Sequence, residues 1–95
     1  MSNAKGLYLH YKGSLYVVTG VRTNANNADN KPETDRRLID YSSLTAEVGM
    51  CFSRAASEFF EQVIWRDGLH RARFVRVQDL AHAVYLYRNI FELRN

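Results

Sequence analysis

The segment from Gly6 to Val21 constrains the fold more than any other. Leu7, Leu9 and Tyr11 fall at every second position with Tyr8 and His10 between them. After the turn Lys12, Gly13, Ser14, the residues Leu15, Val17 and Val21 alternate against Tyr16, Val18 and Arg22. This alternation puts one set of side chains on each face of a strand, and Gly13 supplies the left-handed backbone that a tight turn needs. The result is a hairpin, and a lone hairpin is marginal in water, so the rest of the chain must extend and cover it. Gly20, inside the second strand, marks a bulge or bend where a small sheet curls.

Further strands follow from the same pattern. Arg37 to Ser43 sets Ile39 and Tyr41 against Leu38 and Asp40, and Met50 to Ser53 gives another strand after a turn at Glu47, Val48 and Gly49. Ala55 to Phe60 reads as a short helical turn. Glu61 to Arg66 and Leu69 to Val77 flank Asp67 and Gly68, a pair that favours the primed turns of hairpins. Between Thr23 and Asp35 lie four Asn, the only Pro and no large apolar residue, which predicts a long exposed loop. Past Val77 the period becomes helical, with Leu80, Val84, Tyr87 and Phe91 on one stripe, Asp79 at the favourable start and Arg94 near the end. This helix should run for about four turns. Leu86, Ile90 and Leu93 widen its apolar surface, which either seals the sheet or meets a second chain, as in a homodimer built through Leu80, Val84, Tyr87 and Phe91. The expected division is a tail at 1–4, a β domain at 5–77 with an exposed loop at 23–35, and a C-terminal helix at 78–95.

A chain of 95 residues is long enough for one core and too short for two domains. Twelve aromatic residues crowd into it, so Tyr and Phe should build much of that core. The net charge of +3 permits a nucleic-acid partner without requiring one. Ten of the thirteen basic residues are Arg, which favours carboxylate, phosphate and aromatic partners, and Arg66, Arg71, Arg73 and Arg76 gather near the second hairpin. The single cysteine, Cys51, excludes an internal disulfide and any cysteine-based zinc cluster, in keeping with a reducing cytoplasm. Its place between Met50 and Phe52 predicts a buried thiol. No run approaches the ~18 apolar residues of a membrane span, and the start lacks the apolar stretch of a secretory signal.

Gly6, Tyr8, His10, Tyr11, Lys12, Gly13, Tyr16 and Val18, then Tyr41, Leu44, Gly49, Arg54, Phe59, Val63, Gly68, Arg73 and Phe74, share an order and spacing with a known family. Over about Lys5 to Val77 the chain resembles the bacterial domain-of-unknown-function family 1653. The resemblance implies a small SH3-like barrel or roll of about five strands, which the C-terminal α-helix follows, so the expected fold is mainly β. It implies no activity. Ala55 stands where the family tends to have Pro, and the loop at 23–35 is expanded.

A rolled sheet makes neighbours of residues remote in sequence. The expected site is His10, Lys12, Tyr41, Arg54 and Arg73, with Arg54 and Arg73 as anchors for a carboxylate or other anion, His10 as a donor titrating near neutrality and Tyr41 as a wall. The competing reading packs Tyr8, Tyr11 and Tyr41 in the core and pairs Arg54 with Asp40 or Glu58. The expected role is a small cytoplasmic binding module for a protein, peptide or anionic ligand. The alternative is single-stranded nucleic acid, its bases stacked on Trp65 and its phosphates held by Arg66, Arg71, Arg73 and Arg76. Against it, a Trp in a small domain is usually buried. Catalysis would need Cys51, His10, His70 and Asp40, which no motif ties together. His10, His70 and His82 have no second metal ligand at short spacing, and no cofactor motif is present.

Overall fold

The opening hairpin forms as its alternation requires. In a computed structural model describing residues 4–23, 37–44 and 50–92, β1 (Gly6–His10) pairs antiparallel with β2 (Leu15–Thr23), Leu9 opposite Leu15. There follow β3 (Arg37–Ser43), β4 (Cys51–Ala55), the one-turn helix α1 (Ala56–Phe59), β5 (Gln62–Ile64), β6 (His70–Ala72), β7 (Phe74–Val77) and α2 (Leu80–Ile90). Five strands make an antiparallel sheet in the order β4-β3-β2-β1-β7, and β5 with β6 forms a separate hairpin. The chain is thus mainly β with one C-terminal helix. The sheet is an open roll and not a closed barrel, since β4 and β7 remain its two edges. The turn at 47–49, residues 24–35 of the expected loop, Leu93 and Arg94 lie outside the described residues.

A bulge resets the faces of the sheet. The pairing of β2 with β3 shifts between Val18 and Gly20, so Thr19 is the extra residue. Beyond it Val21 lies opposite Ile39, on the face of Tyr16 and Val18, while Arg22 passes to the other face and binds Asp40. Plain alternation had put Val21 with Leu15 and Val17. One inserted residue inverts the order of faces.

Both hairpin turns share one geometry. Gly13 N–H donates to the His10 carbonyl and His10 N–H to Ser14, at 2.8 Å each. Gly68 N–H donates to the Trp65 carbonyl at 2.8 Å and Trp65 N–H to Leu69 at 2.9 Å. Each is a three-residue loop whose glycine is left-handed, with φ 104° at Gly13 and 88° at Gly68. Asp67 and Gly68 therefore form a turn one residue longer than the primed two-residue type, held by Leu69 N–H donating to Asp67 Oδ1 at 3.1 Å. The expected strand at Leu69 to Val77 also divides. It breaks at Arg73, so that β6 pairs with β5 and β7 pairs with β1.

Each face of the sheet has its own core. On one, Tyr8, Val18, Ile39, Tyr41 and Phe74 pack under α1, whose Phe59 is fully buried. On the other, Leu9 and Val77 pack against Trp65 of the small hairpin and against Ala83 and Ile90 of α2. The buried stripe of α2 is Ala83, Leu86 and Ile90, with Phe91 partly covered. Leu80, Val84 and Tyr87, on the stripe expected to seal or dimerise, stay exposed. The helix spans 11 residues, about three turns. At its start Asp79 Oδ1 accepts from His82 N–H at 2.8 Å. Asp79→Ala should lower stability by about 0.5–2 kcal/mol in urea denaturation, because one terminal N–H loses its acceptor.

Near β3 and β4 the α2 face is open to solvent. Cys51 and Ser53 project there, and the Cys51 thiol is exposed, 3.6 Å from Ser42 Oγ. The expectation of a buried thiol fails because α2 does not reach this end of the sheet. Phe52, the next residue, takes the inward position.

Candidate functional site

The α1 face brings four of the five expected site residues into one cavity. His10 ends β1 and lies opposite Phe74 of β7, while Tyr41 of β3 lies opposite Phe52 of β4. Together with Tyr16, Lys12 and Arg54 they line a cavity of about 280 Å³. Its wall is a chain of rings, His10 to Phe74 at 4.6 Å, His10 to Tyr16 at 5.7 Å, Tyr16 to Tyr41 at 5.3 Å and Tyr41 to Phe52 at 5.5 Å between centroids. The first turn sets Lys12 beside His10, with Lys12 N–H donating to His10 Nδ1 at 3.2 Å. That bond leaves the neutral ring's proton on Nε2.

Arg54 and Arg73 are held in different ways. Arg54 Nε donates to the Tyr41 hydroxyl at 3.3 Å, and its terminal nitrogen stands a loose 3.7 Å from Glu58. Arg73 is not in the cavity wall. It lies over the Tyr11 ring, donates to the Glu58 carbonyl at 3.1 Å and pairs with Glu61 at 2.8 Å. The Tyr41 ring is buried, as the competing reading expected, while its hydroxyl meets Arg54. Asp40 does not pair with Arg54. It faces the other way, holds Arg22 through two hydrogen bonds of 2.7 and 3.0 Å, and its carboxyl stays below the usual range through those bonds and one from Ser53.

The electrostatics of the cavity converge on His10. Burial, then the charges of Arg54, Arg73 and Lys12, lower its pKa from 6.5 to about 4. The sequence suggested a group titrating near neutrality; three cations and a ring wall keep it neutral instead. Between pH 4 and 6.5 the unfolded chain holds the extra proton, so stability is complete above the unfolded value and falls as pH drops toward the folded one. The loss should be about 2 kcal/mol, less than the full shift implies because the ring is partly solvated. Urea titrations at pH 7 and pH 4.5 check this: the stability difference between the two should be smaller in His10→Phe than in the parent protein.

Sequence reasoning missed Tyr16, Phe52 and Phe74. Their signal was present, because Tyr16 alternates in phase with Val18 and Phe52 precedes Arg54 by one strand period. A second cavity of about 510 Å³ on the same face also went unread. Tyr8, Val21, Ile39, Ala56 and Phe60 form its apolar lining, with Lys5, Arg37 and Arg76 around it. Arg76 belongs here and not with the hairpin arginines. Tyr8 is here too, its hydroxyl donating to the Ala4 carbonyl at 2.8 Å and its pKa raised by burial.

The residues of the nucleic-acid alternative do not form a stacking platform. Trp65 is 2% exposed, donates from Nε1 to the Ala72 carbonyl at 3.0 Å, and has Arg71 over its ring. Arg71 itself is paired with Asp67 at 2.8 Å, Arg66 is exposed, and Arg76 lies at the other cavity. The residues of the catalytic reading are likewise apart. Cys51 and His10 project from opposite faces of the sheet, and His70 is exposed in the small hairpin. Among the described residues no group of three His, Cys, Asp or Glu side chains is placed to hold a metal, and no helix is long and apolar enough to cross a membrane. Beside α2, Leu9, Leu15, Ala83, Val84 and Tyr87 line a groove of about 300 Å³ that also includes Gly13. Phe91 stacks on Tyr87 at 4.9 Å beside it.

Comparison with known proteins agrees with the resemblance read from the residues. A crystal structure of a DUF1653 protein from Bordetella bronchiseptica is similar at 26% identity and a TM-score of 0.59, covering 82% of this chain and 95% of that one. No curated protein matches. The family model described as protein of unknown function, DUF1653, matches residues 6–76, most of the chain and every residue lining the His10 cavity. With the opening Tyr8, His10, Lys12 motif and the closing Arg73, Phe74 pair both inside that match, the chain belongs to the DUF1653 family.

Proposed function

We propose that this protein is a binding module, not an enzyme, and that its ligand presents a carboxylate to the cavity of His10, Tyr41 and Arg54. One observation carries the reading: Arg54, Lys12 and Arg73 surround a neutral imidazole, and among the described residues no carboxylate side chain lines the cavity. An anion entering here gains charge-assisted bonds from Arg54 and Lys12 and a neutral one from His10 Nε2. The ring wall lowers the local dielectric and strengthens each of these bonds. Tyr41 orients the guanidinium before the ligand arrives, which reduces the entropy lost on binding. An exposed free thiol at Cys51 suits the reducing cytoplasm in which we place the protein.

Nitrogen NMR of the His10 ring tests the reading. Millimolar benzoate or acetate should shift the Nε2 resonance and raise the His10 pKa from about 4, since a bound anion favours the imidazolium. Benzylamine should do neither. If no carboxylate moves the His10 signal, the reading is wrong.

A further inference from the structure

We propose that the carboxylate belongs to an extended peptide, which adds to the sheet as a strand along the outer edge of β4. This rests on the proposed carboxylate site. β4 ends the strand order, and among the described residues its outer edge is hydrogen-bonded to no strand. The opposite edge strand, β7, is crowded where it begins, Arg73 N–H donating to the Glu61 carbonyl at 2.7 Å. β4 contains neither Pro nor Lys, the residues that commonly blunt an edge. It supplies two members of the cavity, Phe52 and Arg54, which share one face because they are two residues apart.

The charge of Arg54 selects the partner. An inward-facing charge on an edge strand repels an apolar strand, because pairing would bury a guanidinium whose one carboxylate partner, Glu58, is loose and exposed. A strand carrying a carboxylate at the facing position removes that penalty. Side chains directly opposite across a strand pair lie about 5 Å apart, so an acidic residue opposite Arg54 enters the cavity and an apolar residue opposite Phe52 continues the ring wall. The residue between them faces the other way, over Ser53 and the Arg22–Asp40 pair, where a small polar side chain fits. The partner is thus an extended segment of the pattern acidic, small polar, apolar, read in either direction. Main-chain hydrogen bonds supply affinity, and alternate side chains supply specificity.

The test uses the whole protein and a blocked heptapeptide with a central Val-Thr-Glu sequence, followed by isothermal titration and by the His10 nitrogen signal. Two versions carry N-methyl groups on alternate amides, so that in one version only the amides facing β4 are blocked. The proposal expects their affinities to differ at least tenfold, and expects Glu→Gln in the peptide to weaken binding at least tenfold. It expects amides of β4 to gain hydrogen-exchange protection in the complex. Equal affinities for the two methylated peptides, with His10 still shifted, overturn strand addition and leave the carboxylate site standing. A peptide that binds without moving His10 overturns the cavity's part in it. If benzoate, acetate and peptide all leave His10 unmoved, the site itself is refuted and this inference with it.

Discussion

Replacing Phe59 with alanine should lower the melting temperature by at least about 12 °C. Phe59 is fully buried and is the plug of the α1 face. Its ring stacks on Phe74 at 4.0 Å and meets Tyr8 and Tyr41 edge-on at 5.3 and 5.5 Å. Truncation removes apolar contact and leaves a cavity that the sheet cannot collapse to fill, a combined cost of about 3–5 kcal/mol. A domain of this length has only about 5–15 kcal/mol to lose. Phe60, its neighbour, is 43% exposed, and Phe60→Ala should cost well under half as much. Calorimetry on the two variants decides the matter, and equal losses would mean that α1 does not anchor this core. Because Phe59 backs the same rings that wall the His10 cavity, the variant should also blunt any response of His10 to anions.

The hairpin of β1 and β2 was legible because period-two alternation and a glycine turn are local signals. The strand pattern of β3 and the turn at Asp67 and Gly68 were legible for the same reason. What failed were consequences that travel through space. The bulge at Thr19 was anticipated at Gly20, yet its effect on Val21 and Arg22 depends on how many residues β3 sets against it. The break at Arg73 leaves little trace in residues 69–77, since β6 and β7 differ only in which partner each finds. For α2 the apolar residues surround most of the helix, so the stripe facing the sheet was set by the sheet. Small Ala83 and branched Ile90 fit against Leu9 and Val77, and Val84 and Tyr87 were left outside. Cys51 looked apolar by its neighbours, but a strand of alternating faces covers only one of them.

The grouping of residues around the His10 cavity was more legible than the cores. His10, Lys12, Tyr41 and Arg54 were chosen as residue types suited to anions, and the roll places all four on one cavity. Arg73 stands outside the wall because Glu58 and Glu61 hold it against Tyr11, a contact made by the elements after β4 that no local motif announces. The titration of His10 was misread for a related reason. Its own sequence neighbours include one cation, Lys12, whereas the two stronger charges arrive from β4 and from the break between β6 and β7.

Arg54→Met should therefore produce two opposite signatures at one site. Removing the guanidinium deletes the foremost of the charges that depress His10, so the pKa of the ring should rise from about 4 toward 6.5 and the acid loss of stability should shrink. Carboxylate affinity should fall at the same time, by about 10- to 100-fold, the effect of losing a hydrogen bond to a charged group of about 1.5–3 kcal/mol. Loosened packing would also raise this pKa, because burial is its largest depressant, so the variant's melting curve must show the fold intact before the rise is credited to the lost charge. Methionine keeps much of the side chain's length against Phe52 and Tyr41, so the folded state should survive, with the Tyr41 hydroxyl losing its donor and Glu58 its loose ion pair. Paired proton and benzoate titrations of the His10 ring read both effects in the same sample. An unchanged pKa would mean that Arg54 does not act on this imidazole. A raised pKa with undiminished benzoate binding would move the anion's anchor to Lys12 and Arg73.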